Sequence, residues 1–407
     1  MTELVRRQDD EAKALVRLGF DELNGFASSI ATTERDIAGR AFKRVPLGTP
    51  IRFIHDTASR AVVGALTGGT SAVGRGAETL VGLRPRSDRP LSANPVGGFG
   101  LSVLNGLVGD RLEREQSPLQ EPMSVRVGGL PVPPERDALA AAFPEATPRL
   151  VVFVHGLMGN ELGWRLGARQ GRVPYGTRLA QERGWTSVDI RYNSGRHISE
   201  NGRSLADLLE AVVAGWPVDV GEVALVGHSM GGLVSRSAAY QAAEDGMDWV
   251  GHVRRVVSLG TPHMGAPLEQ AAHMGAYAFG LLPETRMMST FLRRRSSGIR
   301  DLRQGSLVDE DWRDRDPEAL RAAACKEIPL LDGATHCFVS ATVTRSARHP
   351  VGRVVGDTLV LTPSATGRSR TRKLAFEDEY GLHIGATNHI ALLNHPAVYE
   401  KLHAWLA

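Results

Sequence analysis

From residue 149 onward the chain alternates short apolar runs with stretches whose apolar residues recur at helical spacing. "RLVVFVHG" (149–156) is apolar and rich in β-branched residues, as a parallel strand buried on both faces requires. "WTSVDIRYN" (185–193), "EVALVGH" (222–228), "VRRVVSLGT" (253–261) and "THCFVSATV" (335–343) read as four more strands. Between them "SLADLLEAVVAGW" (204–216) has helical spacing, with Ser199 or Asn201 as its candidate cap. A second helix follows Ser229 through about Glu244, and "AVYEKLHAWL" (397–406) predicts a closing one. This alternation predicts an α/β fold, a mostly parallel sheet with helices on both faces.

Two regions depart from the pattern. Residues 1–120 predict a helical N-terminal accessory segment ahead of an α/β domain spanning 121–407. Within that segment, residues 55–83 place Ala58, Val62, Ala65, Leu66, Val73, Ala77 and Leu80 at near-helical spacing. "NPVGGFG" (94–100) is glycine-rich with no strand–helix unit around it, so it reads as a loop. "SPLQEPMSVRVGGLPVPPE" (117–135) reads as a linker with a short strand near 123–127. The interval 265–333 breaks the alternation and predicts a cap-like insertion. Its first half gathers Met274, Tyr277, Phe279, Leu281, Leu282, Met287, Met288 and Phe291, suited either to lining an acyl site or to padding the core. Its second half is strongly charged and is expected in solvent.

Composition narrows the options. Of 407 residues, 42% are hydrophobic and 23% charged, and the net charge of +3 gives no field that would favour nucleic acid. Two cysteines, Cys325 and Cys337, cannot build a disulfide framework or a metal site by spacing. The N-terminus has no apolar signal core. Arg6-Arg7 runs into Gln8-Asp9-Asp10, and no uncharged apolar stretch reaches the roughly 18 residues of a membrane span. The expectation is a cytoplasmic protein, with the N-terminal segment or the cap as the place for any peripheral lipid contact.

The chemistry concentrates at "VALVGHSMGGLVSR" (223–236). An apolar strand stops at Gly227-His228-Ser229-Met230-Gly231, and helical sequence follows at once. A sharp strand-to-helix turn holds a serine clear of the sheet, and small flanks let strand and helix approach closely. The plainer alternative is a turn with serine as helix cap. "VFVHGLMGN" (152–160) ends a strand in a glycine turn that leaves backbone N–H groups free. Leu157 N–H there, and Met230 N–H after the serine, are the candidate pair for an oxyanion. A nucleophilic serine needs a base and an acid, and after a strand–turn–helix serine they are expected in the order Ser…Asp…His. Asp357 lies in a turn beyond the fifth strand. Asp332 precedes that strand, and Asp378 and Glu379 sit in an acidic loop. Among 13 histidines, His389 precedes an anchoring apolar run, His383 is its rival, and His395 reads as a helix-entry residue.

"VFVHGL", "RYNSGRHISENG", "LVGHSMGGLVSR", "LGTPHMGAP", "GDTLV" and "NHIALLNHPAVY" together resemble the α/β-hydrolase superfamily, and within it the bacterial lipase/esterase group related to PGAP1-like hydrolases. The resemblance spans about residues 149–404. It implies a Ser229–Asp357–His389 triad with an oxyanion hole at Leu157 and Met230. The implied activity is esterase- or lipase-type cleavage of acyl or lipid esters through an acyl-enzyme, with no metal or organic cofactor. An acyltransferase or thioesterase using the same residues, or a non-catalytic lipid-binding protein on the same fold, are the alternatives.

Overall fold

The computed structural model describes Glu11 and residues 90–266, 295–316, 325–369 and 372–407, the side chain of Arg169 apart. The stripe at 55–83 and the apolar half of the insertion, Met274 to Phe291, lie outside the described residues.

Each of the five apolar runs forms a strand of one eight-stranded sheet. The strands are β1 (Ser124–Val127), β2 (Leu130–Val132), β3 (Arg149–Val154), β4 (Thr186–Arg191), β5 (Glu222–His228), β6 (Val253–Leu259), β7 (Thr335–Ala341) and β8 (Gly381–Ile384). Their spatial order is β2-β1-β4-β3-β5-β6-β7-β8. Only the β1–β2 and β1–β4 pairings are antiparallel; the other five are parallel.

Among the described residues the helices are α1 (Pro95–Arg114), α2 (Arg136–Ala142), α3 (Tyr175–Arg183), α4 (Ile198–Gly215), α5 (Met230–Glu244), α6 (Ser297–Asp301), α7 (Pro350–Val355), α8 (Thr362–Ala365) and α9 (Pro396–Trp405). The two-residue alternation of a strand sends Val152 and Val154 to one face of the sheet and Val151 and Phe153 to the other. The first pair joins a core with Leu139 of α2, Leu205 and Leu209 of α4, and Leu233 of α5. The second joins Tyr175 and Leu179 of α3 and Tyr399 and Leu402 of α9. Burying such side chains contributes about 1.5–3 kcal/mol each, which is why the central strands read as unbroken apolar runs.

Three expectations need correction. "NPVGGFG" is not a loop but the start of α1, with Pro95 at its first position and Asn94 capping Val96 and Gly97 N–H. Its glycines serve close packing: a side chain at Gly98 would press on Ser92 O and the Arg191 guanidinium. The cap of α4 is neither Ser199 nor Asn201 but His197, whose own N–H is met by Glu200. The charged half of the insertion is not solvated throughout. Ser296, Asp301, Arg303, Ser306, Leu307 and Asp311 are buried there. Asp301 accepts from Ile198 N–H and Asp311 from Leu307 N–H, so backbone donors compensate the buried carboxylates.

Candidate active site

The parallel strands β3, β5, β6, β7 and β8 end on one edge of the sheet, and Leu157 follows β3, Ser229 and Met230 follow β5, Asp357 follows β7 and His389 follows β8. At the end of β5, Ser229 takes φ 54° and ψ −123°, a conformation that non-glycine residues rarely adopt and that costs on the order of 1–3 kcal/mol. The crossing of strand and helix requires Gly227 and Gly231. A Cβ at Gly227 would enter the backbone of Gly231 and Gly232, and one at Gly231 would collide with Val154 O. Ser229 remains partly exposed, whereas its neighbours His228 and Met230 are buried.

Asp357 and His389 come together from distant parts of the chain. Asp357 Oδ2 lies 2.8 Å from His389 Nδ1, with the two side chains 1% and 2% exposed. The other carboxylate oxygen, Oδ1, accepts from Leu359 N–H at 3.0 Å and Val360 N–H at 2.8 Å. His389 N–H donates to Asp357 O at 2.8 Å, so main chain and side chain are both tied. With Nδ1 directed to the carboxylate, Nε2 is left as an acceptor, and it is buried with no hydrogen-bond partner. Ser229 and His389 flank the same turn. Ser229 N–H donates to Leu259 O at 2.8 Å, and His389 Nδ1 and Cε1 lie 3.1 Å from where a Gly260 Cβ would stand.

The rivals are placed elsewhere. His383 on β8 is exposed, its nitrogens 3.0 Å from Ser340 Oγ and 3.2 Å from Thr342 Oγ1. His395 caps α9 through Ala397 N–H. Asp332 is exposed ahead of β7, and Asp378 pairs with Arg368.

Met230 opens α5, so its N–H has no acceptor within the helix. Leu157 follows β3 in a loop held from several sides. Its neighbour Met158, at φ 58°, donates its N–H to Ser194 Oγ at 3.0 Å. Gly156 O accepts from Gly159 N–H at 3.1 Å and lies 2.8 Å from His155 Nδ1.

Two histidines that the sequence reading passed over set this frame. Burial lowers the pKa of His155 to about 4 and of His228 to about 3, so both are neutral near pH 7. His155 Nε2 accepts from Tyr192 N–H at 3.3 Å while its ring stacks on Tyr192 at 4.2 Å, which places its proton on Nδ1. His228 donates from Nε2 to His389 O at 3.1 Å, bracing the loop that carries His389. Their positions inside the motifs "VFVHGL" and "LVGHSMGG" were the only signal available.

Residues 145–281, about a third of the chain, match the family model described as the PGAP1-like alpha/beta domain. The fold itself is a mostly parallel α/β sheet with helices on both faces. No curated protein matches the chain. Among solved structures, the chain is similar to the mature lipase BlEst2 of Bacillus licheniformis, at 19% identity over 64% of this chain and 92% of that one, TM-score 0.40. It is also similar to EstA of Clostridium botulinum, at 14% identity over 64% and 87%, TM-score 0.35. A third is the proline iminopeptidase of Mycobacterium smegmatis, at 10% identity over 64% and 89%, TM-score 0.32. At such identities and scores, the chemistry of this chain has to rest on its own site. Among the described residues, no helix is long and apolar enough to cross a membrane, and no His, Cys, Asp and Glu side chains group as a metal site.

Proposed function

We propose that the chain is a serine hydrolase that cleaves carboxylic esters, of the esterase or lipase type, through an acyl-enzyme. One observation carries the reading: a buried histidine is tied to a buried aspartate through Nδ1, has an unpartnered Nε2, and faces the same turn as a strained serine. In the proposed reaction, His389 Nε2 takes the Ser229 hydroxyl proton as Oγ attacks the ester carbonyl. The oxyanion is received by the N–H groups of Leu157 and Met230. Collapse expels the alkoxide, which takes the proton from His389 Nε2 and leaves as an alcohol. Water then loses a proton to His389 and attacks the acyl carbonyl. Ser229 leaves with that proton, and the carboxylic acid is released. Asp357 holds the imidazole in the required tautomer and offsets its charge while it is protonated. The substrate class is acyl or lipid esters.

The test is labelling by a fluorophosphonate, with hydrolysis of acyl esters of increasing chain length by wild type and Ser229→Ala. Stoichiometric labelling that is lost in folded Ser229→Ala, together with loss of turnover, is the expected result. Equal turnover by the two proteins would remove Ser229 from the mechanism.

A further inference from the structure

Seven residues beyond Ser229 on α5, the last residue of "LVGHSMGGLVSR" is a buried cation that no carboxylate among the described residues meets. Arg236 is 4% exposed. Its Nη1 lies 3.3 Å from His263 Nδ1, while its Nε and Nη2 are buried with no hydrogen-bond partner. Nε and Nη2 form the edge of the guanidinium that carries two parallel N–H bonds, the edge that receives carboxylate or phosphate bidentately. Because a guanidinium can only donate, His263 Nδ1 must accept, and the proton of this buried, neutral ring sits on Nε2. That N–H is unpartnered as well. Thr261 Oγ1, also buried and unpartnered, packs on Gly232, one turn before Arg236 on the same face of α5.

The ionisable groups that act on Arg236 and His263 are all basic. Arg372 opposes Arg236, and His336 opposes His263. Burial and then Arg372 pull Arg236 down to about 9. Arg372 Nε has only the exposed Glu327, at 3.7 Å, too far for a hydrogen bond. An uncompensated buried cation costs several kcal/mol, and a fold rarely retains one without a counterion.

We infer that Arg236 is the receptor for a small oxyanion, a carboxylate or phosphate, held bidentately on its Nε–Nη2 edge beside the Thr261–His263 turn. This site is independent of the role given to Ser229. It lies about 10 Å along α5 from the serine, two turns at 1.5 Å per residue. The oxyanion is either a free ion or the acidic group of a substrate.

The experiment is thermal unfolding of the full chain titrated with inorganic phosphate, and separately with acetate, at constant ionic strength in a buffer of weakly coordinating ions. Wild type and Ser229→Ala should both gain stability saturably. Arg236→Met should not respond, and without added oxyanion it should melt above wild type, because the uncompensated charge is gone. Arg236→Lys, which keeps the charge and loses the fork, should bind phosphate at least about tenfold more weakly. A similar response from wild type and both Arg236 variants, or a lower melting temperature of Arg236→Met without oxyanion, would overturn the assignment. If Arg236→Met does not fold, Arg236→Lys alone decides. The source is read from kcat/KM for a phosphate-bearing ester against its neutral counterpart. A preference that Arg236→Lys abolishes assigns the oxyanion to the substrate. No preference, with the thermal response intact, assigns it to a free ion.

Discussion

Asp357→Asn tests the site most sharply, because the hydrogen bonds around Asp357 dictate how the amide must turn. Oδ1 of Asp357 accepts from two backbone donors, Leu359 N–H and Val360 N–H. In the variant only the amide oxygen can take that place, since an NH2 group there would face two donors. The NH2 group is therefore turned toward His389 Nδ1, 2.8 Å away in wild type. A donor at that position forces Nδ1 to accept and moves the imidazole proton to Nε2, the atom that receives the proton of Ser229 in the proposed reaction. In serine proteases with such a triad the same change lowers kcat about 10⁴-fold, or roughly 5.5 kcal/mol at 1.36 kcal/mol per decade. Stability should change far less, because both backbone hydrogen bonds survive and the replacement is isosteric. Steady-state turnover of a short-chain ester, measured beside urea unfolding of the same samples, separates the two effects. A kcat within tenfold of wild type, or a loss that follows unfolding, would refute the tautomer argument.

Ser229→Ala should lose several orders of magnitude in kcat while staying folded, and adding Asp357→Asn should cost little more, because members of one catalytic unit are not additive. Independent, multiplying losses would count against a shared unit. Gly231→Ala should push α5 away from Val154 O and lower stability by at least about 1–3 kcal/mol, read from denaturant midpoints; a neutral result would mean that strand and helix can separate freely. His336 is buried with its pKa lowered to about 4, so the folded chain resists a proton that the unfolded chain binds below about 6.5. Its stabilising contribution is complete above that value and is lost as pH falls toward 4. Wild type should therefore lose roughly 2 kcal/mol more than His336→Gln between pH 7 and 5, and parallel pH profiles would disprove the linkage.

What could be read in the sequence follows from where each signal is stored. β5 and its turn were legible because burial on both faces demands an unbroken apolar run, and the Ser229 turn demands glycine at 227 and 231. The Asp357 and His389 candidates were reachable from chain order and turn residues, but only the folded chain brings them within 2.8 Å. β2 and β8, of three and four residues, are too short to display a period. The start of α1 was misread because its glycines are consistent with a loop on propensity alone. In the fold they make room for Leu91, Ser92 and Arg191, a reason that belongs to tertiary packing. The charged half of the insertion misled for a similar reason, since Asp301 and Asp311 are buried where backbone N–H groups receive them.

The docking of α1 bears on where this chain can be cut. Asn193 Nδ2 donates to Gly109 O, Ser296 Oγ donates to Gly106 O, and the methylene of Gly106 sits where any side chain would strike Met158. Arg191, at the end of β4, is shared among Glu161, Glu121 and Ser92 O. A chain trimmed at residue 121 keeps every strand and all three proposed catalytic residues. It loses the buttress behind the Leu157–Met158 turn and one acceptor of a buried guanidinium. Trimming at residue 90 spares both, but it removes Glu11, a buried carboxylate that accepts from Ser92 N–H and Ser92 Oγ. For expression, crystallisation or grafting, a shortened chain should therefore keep the glycine-rich helix ahead of the first strand of the sheet.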